Sequence, residues 1–241
     1  MKKLLLGLSL ISSVLSFGAT QRVGIEKLVT NESRDTLYLE ETKKPYSGEV
    51  ERKYPDGKLL GIATVKDGKF NGKSYEYYEN GKLKIEENYV NGKSEGVSKV
   101  FYPNGKVKYE TPYKNDKKEG VEKFYSENGI LMSEIPFKND VVIGVAKVYN
   151  AQTGKLEYEE NLVNGKRNGL SKKYYPSGKV LNEVNFKDDK EEGIMRVYYE
   201  TGKLQGEIPY KNGQVDGVVK AYDENGKLIE QAVYKNGEEV K

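Results

Sequence analysis

The chain has 241 residues with 40 basic and 37 acidic side chains, a net charge of +3, and no His, Cys or Trp. The missing His and Cys exclude a Ser-His-Asp triad, thiol nucleophiles and the usual zinc ligand sets, and they remove disulfides as staples. The near-balanced charge carries no nucleic-acid signature and no strong pull toward an anionic membrane, while 36% hydrophobic residues, 32% charged, 20 Tyr and 26 Gly suit a sheet only partly buried on each face.

Met1 to Ala19 reads as a secretory signal peptide and predicts a signal helix. Lys2 and Lys3 form the basic start, Leu4 to Phe17 is an apolar run, and Ser16-Phe17-Gly18-Ala19 offers small residues for cleavage near 18 or 19. The run is shorter than the ~20 residues of a membrane span. No Cys follows the cleavage site, which excludes a lipid-anchored lipoprotein. Cleavage leaves 38 basic against 37 acidic residues. Residues 20–47 form a leader. Arg22 to Arg34 is polar and reads as weakly ordered, while Leu37-Tyr38-Leu39 and Pro45-Tyr46 supply a strand that caps the first repeat.

From residue 48 to 241 the chain repeats. Gly48, Gly72, Gly96, Gly120, Gly144, Gly169, Gly193 and Gly217 start eight units, the last incomplete, 24 residues apart except for one interval of 25. The extra residue lies in Asn150-Ala151-Gln152-Thr153-Gly154. Each unit carries two turn signals, such as Asn80-Gly81 and Asn91-Gly92, and Asn-Gly suits a two-residue type I′ hairpin. A two-residue loop centred on Asn104-Gly105 places Lys99 opposite Glu110. The same rule pairs Lys123 with Glu134, Lys172 with Glu183 and Arg196 with Glu207, puts Lys147 opposite Glu160 beside Glu159, and sets Lys220 against Gln231. A base facing an acid in repeat after repeat fixes register.

The period-two pattern sorts Val100, Tyr102, Val107, Tyr109 and Tyr113 onto a greasier face, and the Lys–Glu pairs with Val97 and Phe101 onto the other. Two mixed faces argue against a sandwich or a closed barrel. The expected fold is all-β: an elongated, twisted, single-layer antiparallel meander of hairpins. With ~16 strands about 4.8 Å apart it would run on the order of 70 Å. Gly96 falls on the greasier face diagonal to Tyr89, where a ring can cover the gap. The charged Glu238-Glu239-Val240-Lys241 guards the far edge.

The segments Tyr77-Tyr78-Glu79-Asn80-Gly81-Lys82-Leu83, Tyr89-Val90-Asn91-Gly92-Lys93 and Gly96 resemble the bacterial variant of the MORN repeat, also grouped with YwqK-type antitoxin-like proteins. The resemblance runs from about Pro45 to the C-terminus. It implies an extended antiparallel sheet with a role in binding or scaffolding. The wider family is linked to membrane lipids and to a phosphoinositide kinase domain, but no kinase motif is present here, and an intracellular antitoxin should not carry an export signal.

Little in the sequence carries chemistry. The column Glu86, Glu110, Glu134, Glu159, Glu183 and Glu207 repeats along the sheet, whereas a catalytic carboxylate pair should be unique. Asp188-Asp189 with Glu191 and Glu192 reads as a turn variant, with calcium binding as the alternative. The lysines after the turns (Lys82, Lys93, Lys106, Lys155, Lys166, Lys179, Lys203, Lys227) line the sheet edges, either for solubility or to meet phosphate or polysaccharide. Tyr77, Phe101, Tyr149, Tyr174, Tyr198 and Tyr222 recur five residues after the repeat glycines. They either cover the strand glycines or offer contact area at little entropic cost. The expectation is an exported, non-catalytic repeat protein with no cofactor or metal, acting as a protein-interaction or surface-binding scaffold in the periplasm, at the cell surface or outside. The alternatives are lipid head-group or glycan binding through the Lys and Tyr rows, and immunity-like binding of a partner protein. A homodimer is open; nucleic acid is not expected.

Overall fold

A computed structural model describes residues 21–240; the expected signal peptide and its helix, Met1 to Ala19, lie outside them. Every hairpin pairs with the next one in sequence, from Gly48–Lys53 with Leu59–Lys66 through to Gly217–Tyr222 with Leu228–Lys235. The result is one long antiparallel sheet of eight hairpins, not closed on itself. Its far edge is the strand Glu238–Val240, paired with Leu228–Lys235 and exposed throughout.

Two kinds of turn alternate, which explains the unequal spacing of the turn glycines. Asn91 and Gly92 have φ of 50° and 82°, a two-residue type I′ turn as expected. At Asn104-Gly105 the expectation fails. Only Gly105 has positive φ, and Gly105 N–H donates to the Tyr102 carbonyl while Tyr102 N–H donates to the Lys106 carbonyl, both at 2.8 Å. That is a three-residue loop, with Gly supplying the left-handed position after a type I turn. The predicted partners of Lys99 and Glu110 survive because a bulge after Val107 shifts the register by one and restores it. In the 25-residue unit the bulge is kept and the loop grows by one residue, so that Lys147 faces Glu159, with Glu160 opposite Ala146; the expected pairing with Glu160 is corrected by that position.

Three narrow turns hold no glycine. Asn115-Asp116, Asn139-Asp140 and Asp188-Asp189 all adopt positive φ at both positions, which Asn and Asp tolerate through short polar side chains. Each second carboxylate accepts a backbone N–H from the preceding unit: Asp116 from Ser94, Asp140 from Lys118 and Asp189 from Arg167. Consecutive narrow turns are therefore tied to each other along one edge.

Gly96 faces Tyr113 across its own hairpin, and Tyr89, paired with Ser94, is its diagonal neighbour as the sequence placed it. The structure adds a further reason for glycine at these positions. The requirement is conformational. Gly120 has φ of 119°, and a Cβ there would lie 2.9 Å from Pro112 Cγ.

The leader is ordered, contrary to the reading of Arg22 to Arg34. Arg22–Gly24 forms a strand parallel to Gly48–Lys53, closing the sheet's first edge, and Leu28–Thr30 pairs with Leu37–Leu39 as a separate two-stranded sheet. Leu37-Tyr38-Leu39 thus packs over the first repeat instead of extending its sheet. Between these layers sits the main core: Val23, Tyr46, Val50 and Val65, with Leu28, Leu37, Leu39 and Phe70 against it. Beyond the cap only Val184, Phe186 and Thr111 are buried among the described residues. Burying such a side chain contributes roughly 1.5–3 kcal/mol, so most of the array depends on lateral pairing and half-buried contacts.

Candidate functional site

Residues that face each other across hairpins place three columns on one face of the sheet. The middle column is a charge ladder. Lys99 faces Glu110 within its hairpin and Glu86 of the hairpin before; Glu110 in turn faces Lys123. The alternation continues through Glu134, Lys147, Glu159, Lys172, Glu183, Arg196, Glu207 and Lys220. The four predicted pairs are all ion pairs: Lys99–Glu110 at 3.0 Å, Lys123–Glu134 at 3.9 Å, Lys172–Glu183 at 4.0 Å and Arg196–Glu207 at 3.8 Å. Spacing across a single turn reveals these pairs, but it is blind to the contact of each Glu with the following hairpin. That second contact makes a ladder of what the sequence shows as isolated pairs.

On one side of the ladder lies the predicted aromatic row. Tyr77, Phe101, Tyr149, Tyr174, Tyr198 and Tyr222 each end the outgoing strand of their hairpin and are half-buried. Tyr125 belongs to this row and was missed, although it follows Gly120 at the same interval. From Tyr125 onward every hydroxyl donates to the ladder carboxylate of the previous hairpin: Tyr125 to Glu110 at 3.1 Å, Tyr149 to Glu134 at 2.8 Å, Tyr174 to Glu159 at 2.6 Å, Tyr198 to Glu183 at 2.8 Å and Tyr222 to Glu207 at 3.2 Å. Phe101 has no hydroxyl to offer Glu86, and Tyr77 finds Ile62 where a carboxylate would stand. The row joins hairpins as well as presenting ring faces. Burial first, then the hydrogen bond to Glu134, pushes the Tyr149 phenol up to about 12. The Lys99 ammonium, and after it the Tyr125 hydroxyl, hold the Glu110 carboxyl below the ordinary range.

On the other side runs an aliphatic stripe. Val97, Val121, Val145, Ile194 and Val218 immediately follow the repeat glycines and are 41–46% exposed. Pro112 faces Val97, Pro136 faces Val121 and Pro209 faces Ile194. Equivalent residues recur every two strands, so the apolar points stand about 10 Å apart. Sequence patterning placed Val97 on this face without seeing the stripe, because β-branched residues inside strands read first as core.

A second tyrosine row lies at the wide turns. Tyr54, Tyr78, Tyr102, Tyr175 and Tyr199 each donate a hydroxyl, at 2.6–2.9 Å, to the backbone carbonyl of the row residue one hairpin on: Tyr77, Phe101, Tyr125, Tyr198 and Tyr222. Of the post-turn lysines, Lys106 donates to the Asn128 carbonyl at 2.8 Å and Lys155 to the Pro176 carbonyl at 2.5 Å, so two of these cations bridge turns. The acidic group around Asp188 is dispersed over structural tasks. Asp188-Asp189 is the tight turn already described, Glu192 accepts the Asn212 N–H at 2.9 Å, and the Glu191 carbonyl accepts the Gly213 N–H at 2.9 Å.

A family profile described as MORN repeat variant matches residues 46–67, 70–91, 94–115, 118–139, 167–188, 191–212 and 215–236. The unmatched interval holds the hairpin Gly144–Tyr149 with Leu156–Val163, whose loop carries the extra residue. Comparison with curated proteins finds no match.

Proposed function

This chain belongs to the MORN repeat variant family, and from that premise we propose that it is an exported, non-catalytic scaffold that binds a protein partner through the ladder face. The carrying observation is the stripe of exposed Val and Ile beside a charge ladder that is already neutralised within the sheet. Apolar points at regular spacing supply contact area, and the flanking alternation of sign penalises a partner set down out of register. Such a partner carries small apolar side chains at matching intervals and little net charge. The ring faces of the tyrosine row add area along the same face.

The test is cross-linking of the exported protein in its native envelope, followed by reconstitution with the recovered partner. Val121→Lys with Val145→Lys should abolish that complex while leaving the fold intact, and Val148→Lys, outside the stripe, should not. Loss in both variants or in neither would overturn the assignment. A dimer of this chain that dissociates in the double variant would identify a second copy as the occupant.

A second reading is recognition of lipid head groups or glycans by the post-turn lysines. Lys82, Lys93, Lys166, Lys179, Lys203 and Lys227 support it by their placement after turns along the sheet edges. Binding to anionic vesicles or to glycans that disappears on neutralising these lysines would favour it over the protein scaffold. Immunity-like capture of a partner protein is a special case of the first reading and would show the same dependence on Val121 and Val145.

A further inference from the structure

The second tyrosine row has a gap, and the gap is a cavity. In the regular units a turn tyrosine lies across to the next hairpin and donates to a backbone carbonyl, as Tyr102 does to Tyr125 and Tyr175 to Tyr198. Regular donors and acceptors stand 23 residues apart, and with the one extra residue of this loop the Tyr174 carbonyl should receive a hydroxyl from position 150. That position is Asn150, whose Nδ2 turns instead to Glu157 at 2.7 Å and whose Oδ1 accepts N–H groups of its own enlarged loop. Between this loop and the following turn opens a cavity of about 360 Å³, within the ~300–1,000 Å³ range of small-molecule sites.

The walls suit a ring. Leu156, Tyr158, Tyr175, Pro176 and Leu181 provide apolar and aromatic surface, and Tyr174 is also part of the lining. Lys173 sits 5.3 Å from the Tyr158 ring centroid, Lys155 is held on the Pro176 carbonyl, and Glu157 also lines the slot, so two cations stand against one carboxylate. Ser126 also lacks a ring. Its neighbour, however, has Ser133 at the register position that Tyr158 holds here, so no aromatic wall forms there.

We propose that this slot binds a para-substituted phenol, its ring in the place of the missing tyrosine and its hydroxyl donating to the Tyr174 carbonyl. The phenol could be a free small molecule or a tyrosine side chain on another protein, since both present the same group. The site lies mainly on the face opposite the charge ladder. It therefore stands whether or not the ladder face binds a protein.

The experiment is a titration of the 15N-labelled protein with p-cresol, toluene and a blocked Gly-Tyr-Gly peptide, read by amide shifts. p-Cresol should shift the amides of Leu156, Tyr175, Gly178 and Leu181 saturably. Toluene should bind about fivefold more weakly, the loss of one neutral hydrogen bond. Asn150→Tyr should fill the slot and abolish the shifts, its spectrum reporting that the fold is kept. Tyr158→Ser, which copies the wall beside Ser126, should weaken p-cresol binding without filling anything. Binding of both p-cresol and peptide assigns the slot to a tyrosine carried on a chain, and p-cresol alone assigns it to a free phenol. Shifts spread over all the turns, or p-cresol binding unchanged in both variants, would overturn the proposal.

Discussion

Gly96→Ala and Gly120→Ala, made one at a time, separate two reasons for which a glycine can be required. The two residues hold the same place in successive units, opposite Tyr113 and Phe137, and have φ of 81° and 119°. Forcing an L-residue into left-handed backbone costs about 1–2 kcal/mol, and alanine returns roughly 0.4–1 kcal/mol by narrowing the unfolded ensemble. At Gly96 nothing further is met, because a Cβ there has open space for 4 Å. At Gly120 the same atom would fall 2.9 Å from Cγ and 3.4 Å from Cβ of Pro112. A pyrrolidine ring cannot rotate away, and overpacking of this kind costs ~1–3 kcal/mol more. The expected losses are therefore about 1 kcal/mol for Gly96→Ala and about 3 kcal/mol for Gly120→Ala. Native-state hydrogen exchange of the flanking strands is the appropriate assay, because an array of units need not unfold as one two-state body. Equal losses at the two sites would remove the proline contact from the explanation, and a neutral Gly120→Ala would refute the conformational argument altogether.

Three further perturbations probe the ladder and the array. The Glu110 carboxyl should titrate below the ordinary 4.5, held down chiefly by Lys99. The stability it contributes is thus present above the ordinary value and is lost as pH falls through the depressed one. Carbon NMR should show its midpoint rising in Lys99→Met, and a wild-type midpoint at or above 4.5 would contradict the pairing. Tyr149 should ionise at about 12 rather than 10.0, so its contribution is complete below the ordinary value and fades as pH rises through the higher one. In Glu134→Gln the tyrosinate midpoint should fall part of the way back, since burial is the larger cause; an unmoved midpoint would take the carboxylate out of the account. Deleting residues 120–143 brings Lys147 to the place of Lys123, whereas deleting 120–131 brings Ile135 there. The first should be tolerated and the second should not, and denaturant curves that coincide would defeat the nearest-neighbour picture.

The hairpins and the four ion pairs were legible because two independent periodicities, turn glycines and cross-strand charges, agree. What escaped has specific physical causes. Asn104-Gly105 and Asn91-Gly92 look alike as dipeptides, and only the residues around them decide whether one or both take positive φ; Pro103, locked at negative φ, is the signal that could have separated them. Arg22–Gly24 is too short and polar to announce a strand, and it pairs with Gly48–Lys53 across 27 residues of sequence. The hydroxyl links from Tyr125 and its successors to the preceding Glu span 15 residues, a spacing set by how hairpins stack rather than by any one hairpin. The gap at Asn150 shows only once the row of Tyr54, Tyr78, Tyr102, Tyr175 and Tyr199 is known to be a row.

The ladder need not be strong to be decisive. Exposed ion pairs contribute about 0–1 kcal/mol each, so the pairs of this face do not hold the sheet together by energy alone. Sliding one strand by two residues keeps its faces, however, and a slip toward the stripe sets Lys99, Lys123 and Arg196 against Pro112, Pro136 and Pro209 instead of an acid. That penalty falls on both neighbours at once, since Glu110 faces Lys99 and Lys123. The bases Lys99, Lys123, Lys147, Lys172, Arg196 and Lys220 also match Glu86, Glu110, Glu134, Glu159, Glu183 and Glu207 one for one. A row that cancels itself projects little field beyond a Debye length of ~8 Å, so a partner seated here is selected by apolar spacing rather than by long-range attraction. Its affinity should change little between low and physiological salt. Binding through the post-turn lysines would instead weaken steeply, and a steep salt dependence of the native complex would move the functional surface from the ladder face to the edges.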